Sequence, residues 1–267
     1  MKTLFLLLCL ASTALAGQPI QTSTLSPDQL KDVGIVQRIG AQVPPGLVFT
    51  DSDGSRVELD ALLARKPTLL VPVYYACPNL CTVVLNALVQ SLADLRRTAG
   101  DGFQIVAVSI DPRETPDLAA EKKASYLRLY GRGSADAWTF LTGDPFTIRR
   151  LTEAVGYRFR YDEQANQFAH GSGLIVLDPS GKVTQYLLGI EYRPAEIEAA
   201  IRNAAAGRTG APVSDLALLC YRYNPLTGPY GTAVAWALKG ASILAVLLLG
   251  GYIVRQLRRE QQRTPQP

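Results

Sequence analysis

The residues best suited to chemistry in this chain are Cys77 and Cys81, within Cys77-Pro78-Asn79-Leu80-Cys81, and a distant histidine, His170. His170 is the only histidine among 267 residues, and there are four cysteines. Two thiolates and an imidazole can hold copper, because thiolate selects Cu(I) and imidazole suits both common copper oxidation states. The cysteine pair alone can shuttle between dithiol and disulfide. The residue types leave both chemistries open, beside the plain alternative of two small buried cysteines or an inert disulfide. Zinc fits less well, since it takes a fourth ligand or an open water position with an acid–base partner, and none is evident. A lone histidine is by default structural, so His170 needs support beyond its type.

Two segments must position the pair. Thr68 to Tyr75 has the composition of a buried strand, although Pro72 removes a ladder donor. From Thr82 to Arg97 apolar residues recur at helical spacing, through Val83, Val84, Ala87, Leu88, Leu92 and Leu95. Cys77 is therefore expected to leave a strand and Cys81 to lie on the first turn of a helix. There, unpaired N–H groups and the helix dipole lower a thiol pKa. Pro78 suits the first helical position. The i to i+4 spacing puts both sulfurs on one face if residue 77 is already helical. It is one residue longer than the C-x-x-C of ordinary dithiol oxidoreductases.

The remaining pattern supplies the scaffold. Strands are expected at residues 47–50, 103–110 and 138–141, and helices at 116–130, 144–155 and 194–206, with a short helix near 27–33. Two strands, 172–177 and 183–188, flank the turn Asp178-Pro179-Ser180-Gly181 and form a hairpin. Strand–helix alternation ending in an antiparallel hairpin predicts an α/β fold, a mixed central sheet flanked by helices on both faces. His170 falls in the loop just before that hairpin.

The chain ends bound the setting. Residues 1–16 carry Lys2, an apolar stretch from Leu4 to Leu10 and Ala14-Leu15-Ala16, the pattern of a cleaved secretory signal peptide. Its removal takes Cys9 and leaves Cys77, Cys81 and Cys220. A second apolar stretch, from about Trp236 to Val254, has the length of a membrane span. Trp236 and Lys239 suit one interface, and Tyr252 and Arg255 the other. Four arginines against one glutamate in the tail place that end in the cytoplasm under the positive-inside rule. The formal charge of +4 resides mainly in the two ends. The neutral body argues against nucleic-acid binding. The expected organisation is signal peptide 1–16, lead-in 17–45, one α/β domain 46–207, juxtamembrane segment 208–231, transmembrane helix 232–255 and cytoplasmic tail 256–267. The soluble domain would face the periplasm from the inner membrane. A domain of this size needs no disulfide framework, so its cysteines are more chemical than structural.

Several segments resemble the Sco (SenC/PrrC) family: VGIVQRIGAQVP, LVFTDSDGSRVEL, LLVPVYYACPNLC, FQIVAVSIDPRETP, FLTGD and HGSGLIVLDPSGKV, spanning roughly Val33 to Ala206. The family's CPxxC pair matches Cys77 and Cys81, its histidine ligand matches His170, and its Ser-Ile-Asp-Pro segment matches Ser109 to Pro112. The resemblance implies a thioredoxin-like fold with an inserted hairpin. It also implies copper bound by Cys77, Cys81 and His170, and assembly of the dinuclear copper site of a haem-copper oxidase. The implied partners are a copper-accepting oxidase subunit and a periplasmic copper donor or thiol reductant. The role is that of a metallochaperone more than an enzyme. Ala76 stands where threonine is common, and Ala169 replaces the acidic residue often found before the histidine. The anchor is C-terminal, where familiar members carry it at the N-terminus. Residues 219–231 look like a C-terminal extension seen in a branch of the family, and Cys220 is left out of the site.

Two other functions share these residues. A thiol–disulfide reductase would use Cys77 to attack and Cys81 to resolve, keeping the oxidase cysteines reduced without His170. A peroxidase would need threonine and arginine around Cys77, where Tyr75 and Ala76 stand.

Overall fold

Residues 68–73 and 104–109 are two runs in which every side chain is buried, and a strand covered on both faces requires that composition. The computed structural model describes residues 23–77, 80–213 and 231–261. In chain order its elements are helix α1 (Pro27–Leu30), strands β1 (Gly34–Ile35), β2 (Val48–Asp51) and β3 (Arg56–Glu58), helix α2 (Leu59–Leu63), strand β4 (Thr68–Val73), helix α3 (Leu80–Ala93), strand β5 (Gln104–Ser109), helix α4 (Pro116–Tyr130), strand β6 (Trp138–Thr142), helix α5 (Pro145–Ala154), strands β7 (Tyr157–Asp162), β8 (Gln167–His170), β9 (Gly173–Leu177) and β10 (Val183–Leu188), helix α6 (Pro194–Ala205) and helix α7 (Gly231–Gln261).

Seven strands form one mixed sheet in the order β10-β9-β4-β5-β6-β2-β3. Strands β4, β5 and β6 run parallel, joined through α3 and α4; β9 and β10 close one side antiparallel, and β2 and β3 the other. The mixed sheet expected from the sequence is present. Caps fix the helices where the sequence marks them. Thr115 caps α4, Asp144 caps α5, and proline opens both. The core runs through Leu69, Leu70, Ile105, Val106, Phe140, Ile175 and Val176.

Pro72 is compatible with β4 for a geometric reason. The pairing of β4 with β9 ends at Leu70. The Val73 carbonyl accepts from Ile110 N–H at 2.7 Å on the β5 side. Pro72 is one residue out of phase, so its backbone groups face the other side, where no strand asks for its missing N–H.

A second sheet of three strands, β1-β7-β8, lies outside the expected plan. His170 is the last residue of β8 rather than a loop residue, opposite Phe159 of β7. Gly156 starts this sheet with φ +67°, and a Cβ there would lie 1.9 Å from the Val36 carbonyl oxygen. That carbonyl-facing turn lets Val36 N–H donate to Gly156 at 2.8 Å and seats β7 against β1.

Residues up to Pro212 form one compact unit and those from Val213 another. In the second unit, α7 carries exposed Trp236, Ile243, Leu244, Val246 to Leu249, Tyr252 and Ile253. Lys239 Nζ lies 5.4 Å from the centre of the Trp236 ring. Among the described residues no helix is long and apolar enough to cross a membrane, so the expected span at 232–255 is not supported. Lys239 breaks the apolar run near its start, and the side chains of Leu238 and Val254 lie outside the described set. The expected signal peptide at 1–16, Cys9, Cys220 and most of the segment 208–231 also lie outside the described residues.

The β7–β8 hairpin is tied to the N-terminal segment by one carboxylate. Asp162 accepts from Thr24 Oγ1 at 2.6 Å, Thr24 N–H at 2.6 Å and Ser23 Oγ at 2.8 Å. These bonds, the Thr24 hydroxyl first, hold its carboxyl well below the usual carboxylate range. A depressed folded pKa means that the tether's contribution to stability is full above the unfolded value of about 4 and is lost as pH falls through the lower folded value. The Thr24 amide NMR shift is expected to stay constant through about pH 4 and to move only at the lower pH where the Asp162 carboxyl itself protonates. An Asp162→Asn variant is expected to show the moved position at neutral pH.

Candidate functional site

The polypeptide leaves β4 through Tyr74, Tyr75 and Ala76 and reaches Cys77, which is buried. Tyr75 anchors this exit. Its hydroxyl lies in the core, donating towards the carbonyls of Leu141 (2.8 Å) and Ala107 (3.1 Å). Burial pushes that phenol well above its usual pKa, with the nearby Glu114 and Asp51 carboxylates adding to the effect. Cys77 N–H donates to the Tyr74 carbonyl at 3.3 Å, which closes a tight turn. Cys81 is the second residue of the 14-residue helix α3, with no acidic side chain in that first turn. The helix dipole there favours a thiolate. Pro78, Asn79 and the Cys81 side chain lie outside the described set.

His170 is half-buried and held by its Nδ1 atom. That atom is 2.8 Å from the Gly171 carbonyl and 2.9 Å from the Tyr157 hydroxyl. A carbonyl only accepts, so this geometry assigns a proton to Nδ1, and the lone pair of the neutral ring then falls on Nε2. The Tyr157 hydroxyl also lies 3.1 Å from the Pro72 carbonyl and 3.0 Å from that of Gly171. One buried phenol therefore links the end of β4, the end of β8 and the imidazole. The Tyr74 ring meets the His170 ring edge-on, with centres 5.8 Å apart.

The structure thus brings His170 beside the strand exit that leads into Cys77 and Cys81. Among the described residues, no three His, Cys, Asp or Glu side chains gather as a metal site. Thiol and imidazole are the donor types that fit a soft metal, and His170 lies near Tyr74, three residues before Cys77. Ala169 contributes no carboxylate there, and Nδ1 is oriented by a phenol and a carbonyl instead.

Sequence reasoning missed Tyr157, Tyr74 and Glu114. The signal for Tyr157 was present in Tyr157-Arg158-Phe159-Arg160-Tyr161, a strict alternation of aromatic and basic residues. Glu114 accepts from Ala76 N–H at 2.6 Å, Tyr75 N–H at 2.8 Å and Ser109 Oγ at 2.5 Å. Burial pushes its carboxyl up, against the pull of these three hydrogen bonds.

The SCO1/SenC family profile matches residues 40–206. A Stutzerimonas stutzeri protein assigned to copper binding is 24% identical over 147 residues, covering 54% of this chain and 68% of its own. ScoI of Arabidopsis thaliana, solved with copper bound, is 18% identical with a TM-score of 0.52, covering 62% of this chain and 99% of its own. BsSco, a member of the Sco family of cytochrome c oxidase assembly proteins in which a disulfide switch was identified, is 22% identical with a TM-score of 0.51, covering 64% and 98%. The two solved structures share the mixed α/β, thioredoxin-like Sco fold of this chain.

Tyr157→Phe removes the hydroxyl and leaves the buried Pro72 carbonyl without its donor, at a cost of about 1–3 kcal/mol. The fold is expected to survive, with Nδ1 still protonated against the Gly171 carbonyl but with shifted His170 ring ¹⁵N resonances. Unchanged ring resonances would contradict the orienting role of Tyr157.

Proposed function

The chain belongs to the SCO1/SenC family, and on that premise we propose that it binds copper and supplies it to the dinuclear copper site of a haem-copper respiratory oxidase. Cys77 and Cys81 bind as thiolates, and His170 completes the set through Nε2. The observation that carries this reading is the clasp of His170 Nδ1 by Tyr157 and Gly171. A histidine with a purely structural task has no need of a fixed metal-binding tautomer beside a thiol pair. Copper is cargo here. A three-ligand site is coordinatively incomplete, which suits ligand exchange with an acceptor's own thiolates and imidazoles.

The same reading extends to the setting. Residues 1–16 would export the domain to the periplasm, and residues 232–255 would hold it at the inner membrane with residues 256–267 in the cytoplasm. The exposed apolar side chains of α7 between Trp236 and Ile253 favour the anchor, although its described residues fall short of a span. Tethering donor and acceptor in one membrane raises their effective concentration. A periplasmic copper donor or thiol reductant would reload the site.

The second reading, a thiol–disulfide reductase for the oxidase cysteines, draws on the placement of Cys81 in the first turn of α3. That placement stabilises one thiolate as nucleophile or leaving group. The two readings part at His170. In the full chain, His170→Ala is expected to reduce bound copper from one per chain to near none, measured by atomic absorption after gel filtration, and to leave dithiol exchange intact. Cys77→Ser is expected to abolish both. Oxidase assembly that survives His170→Ala and fails with Cys77→Ser would overturn copper delivery and establish the reductase.

A further inference from the structure

We propose that residues 111–114, the loop between β5 and α4, form a clamp that sets the separation between the thiolate and imidazole halves of the site; this rests on the copper reading above. The need for such a device follows from the topology. Cys77 follows β4 of the seven-stranded sheet, whereas His170 ends β8 of the three-stranded sheet. A cleft of about 390 Å³ opens between the two, lined by Tyr74, Ala76, Asp111, Arg113, Asn166 and Gln167, among others. Residues 111 and 113 of this loop line the cleft, and the loop bonds to both of its sides.

Glu114 grips the thiolate half. Its carboxylate takes the amides of Tyr75 and Ala76, the two residues before Cys77, and its Oε2 is tied to β5 by Ser109 Oγ. Two adjacent N–H groups on one carboxylate fix the plane of that turn with charge-assisted bonds. Arg113 grips the imidazole half. Its Nε and Nη2 fork onto Asp111 at 2.8 and 2.7 Å, which immobilises the guanidinium. Nη1 then donates to the Tyr161 hydroxyl at 3.1 Å, and the guanidinium carbon sits 4.7 Å from the Tyr161 ring centre and 5.7 Å from that of Phe168. Tyr161 and Phe168 are cross-strand partners, and Phe168 lies two residues before His170 on the same face of β8. Phe168 also packs on Tyr74, with ring centres 5.5 Å apart, and the Tyr74 carbonyl takes the Cys77 amide. The circuit closes from Glu114 through Ala76, Cys77, Tyr74 and Phe168 back to Arg113. Neighbouring residues of one loop thus hold the two halves, and neither is a ligand. Both are positioning residues.

The test uses the full chain in detergent with two readouts, one of them free of metal. Glu114→Gln keeps the shape and loses the charge. It is expected to change the dithiol–disulfide equilibrium constant of the metal-free Cys77/Cys81 pair about tenfold, or about 30 mV for two electrons, in a glutathione redox buffer. Arg113→Leu is expected to leave that constant within about twofold. It should weaken copper binding about tenfold and alter the nitrogen hyperfine pattern of the Cu(II) EPR spectrum, as loss of a neighbour that orients a ligand does. The double variant should lose no more copper affinity than the worse single one, because one separation fails in both. Glu114→Asp and Arg113→Lys serve where the larger changes unfold the chain, with the same pattern at smaller size. Unchanged potential and spectrum, or strictly additive losses, would overturn the clamp. A wild-type chain that takes up no copper while Glu114→Gln still shifts the pair would overturn the copper reading and support the Glu114 half of the clamp.

Discussion

The arrangement depends on one buried hydroxyl. Tyr157 reaches the Pro72 carbonyl of β4, the Gly171 carbonyl and Nδ1 of His170 at once. The two carbonyls would be costly to leave unmet in this interior. Pro72 has a backbone carbonyl to offer because β9 stops pairing two residues earlier. Tyr157 can reach it because Gly156 adopts a left-handed turn that only a residue without a side chain fits against Val36. The position of His170 is thereby set by the end of the central strand, the same strand that delivers Cys77. Two sheets that share no ladder are locked at the point where the proposed chemistry needs them to meet.

The electrostatics of the site follow from this placement. The thiol pair spans a strand exit and a helix start, where the backbone itself favours negative charge on sulfur. The contact of Nδ1 with the Gly171 carbonyl sets which ring nitrogen carries the proton in the neutral imidazole, and leaves Nε2 as the nitrogen that could bind a metal. The groups that hold Nδ1 are a phenol and a backbone carbonyl. The acidic groups nearby, Asp111 and Glu114, are spent on Arg113 and on the amides before Cys77. The proposed set of two thiolates and one imidazole is soft and three-coordinate, which suits a metal that must leave again.

Much of the scaffold was legible because its signals are local. Helix α4 was expected over the residues it occupies, and in the structure Thr115 and Gly131 cap its ends. Strands β4 and β5 were marked by unbroken apolar runs. The small sheet was not anticipated. Strand β1 has two residues and β8 has four, too short for a periodic signal, and β7 alternates aromatic and basic side chains that were left unread. That omission placed His170 in a loop. The candidate residues themselves were legible from type and spacing. Their supports were not, because Tyr157, Arg113 and Glu114 act across elements distant in sequence, and no spacing rule encodes such contacts. The C-terminal segment shows the converse limit, since its apolar composition predicts a span while the described residues of α7 do not meet the length and apolarity of one.

The central claim is a copper site made of two thiolates and one imidazole, with His170 as a ligand. X-ray absorption at the copper edge of the copper-loaded full chain tests it most directly. The account predicts two sulfur scatterers and one imidazole nitrogen, with the imidazole signature lost in His170→Ala. A shell without sulfur, or one that is the same in His170→Ala as in the parent chain, would contradict it.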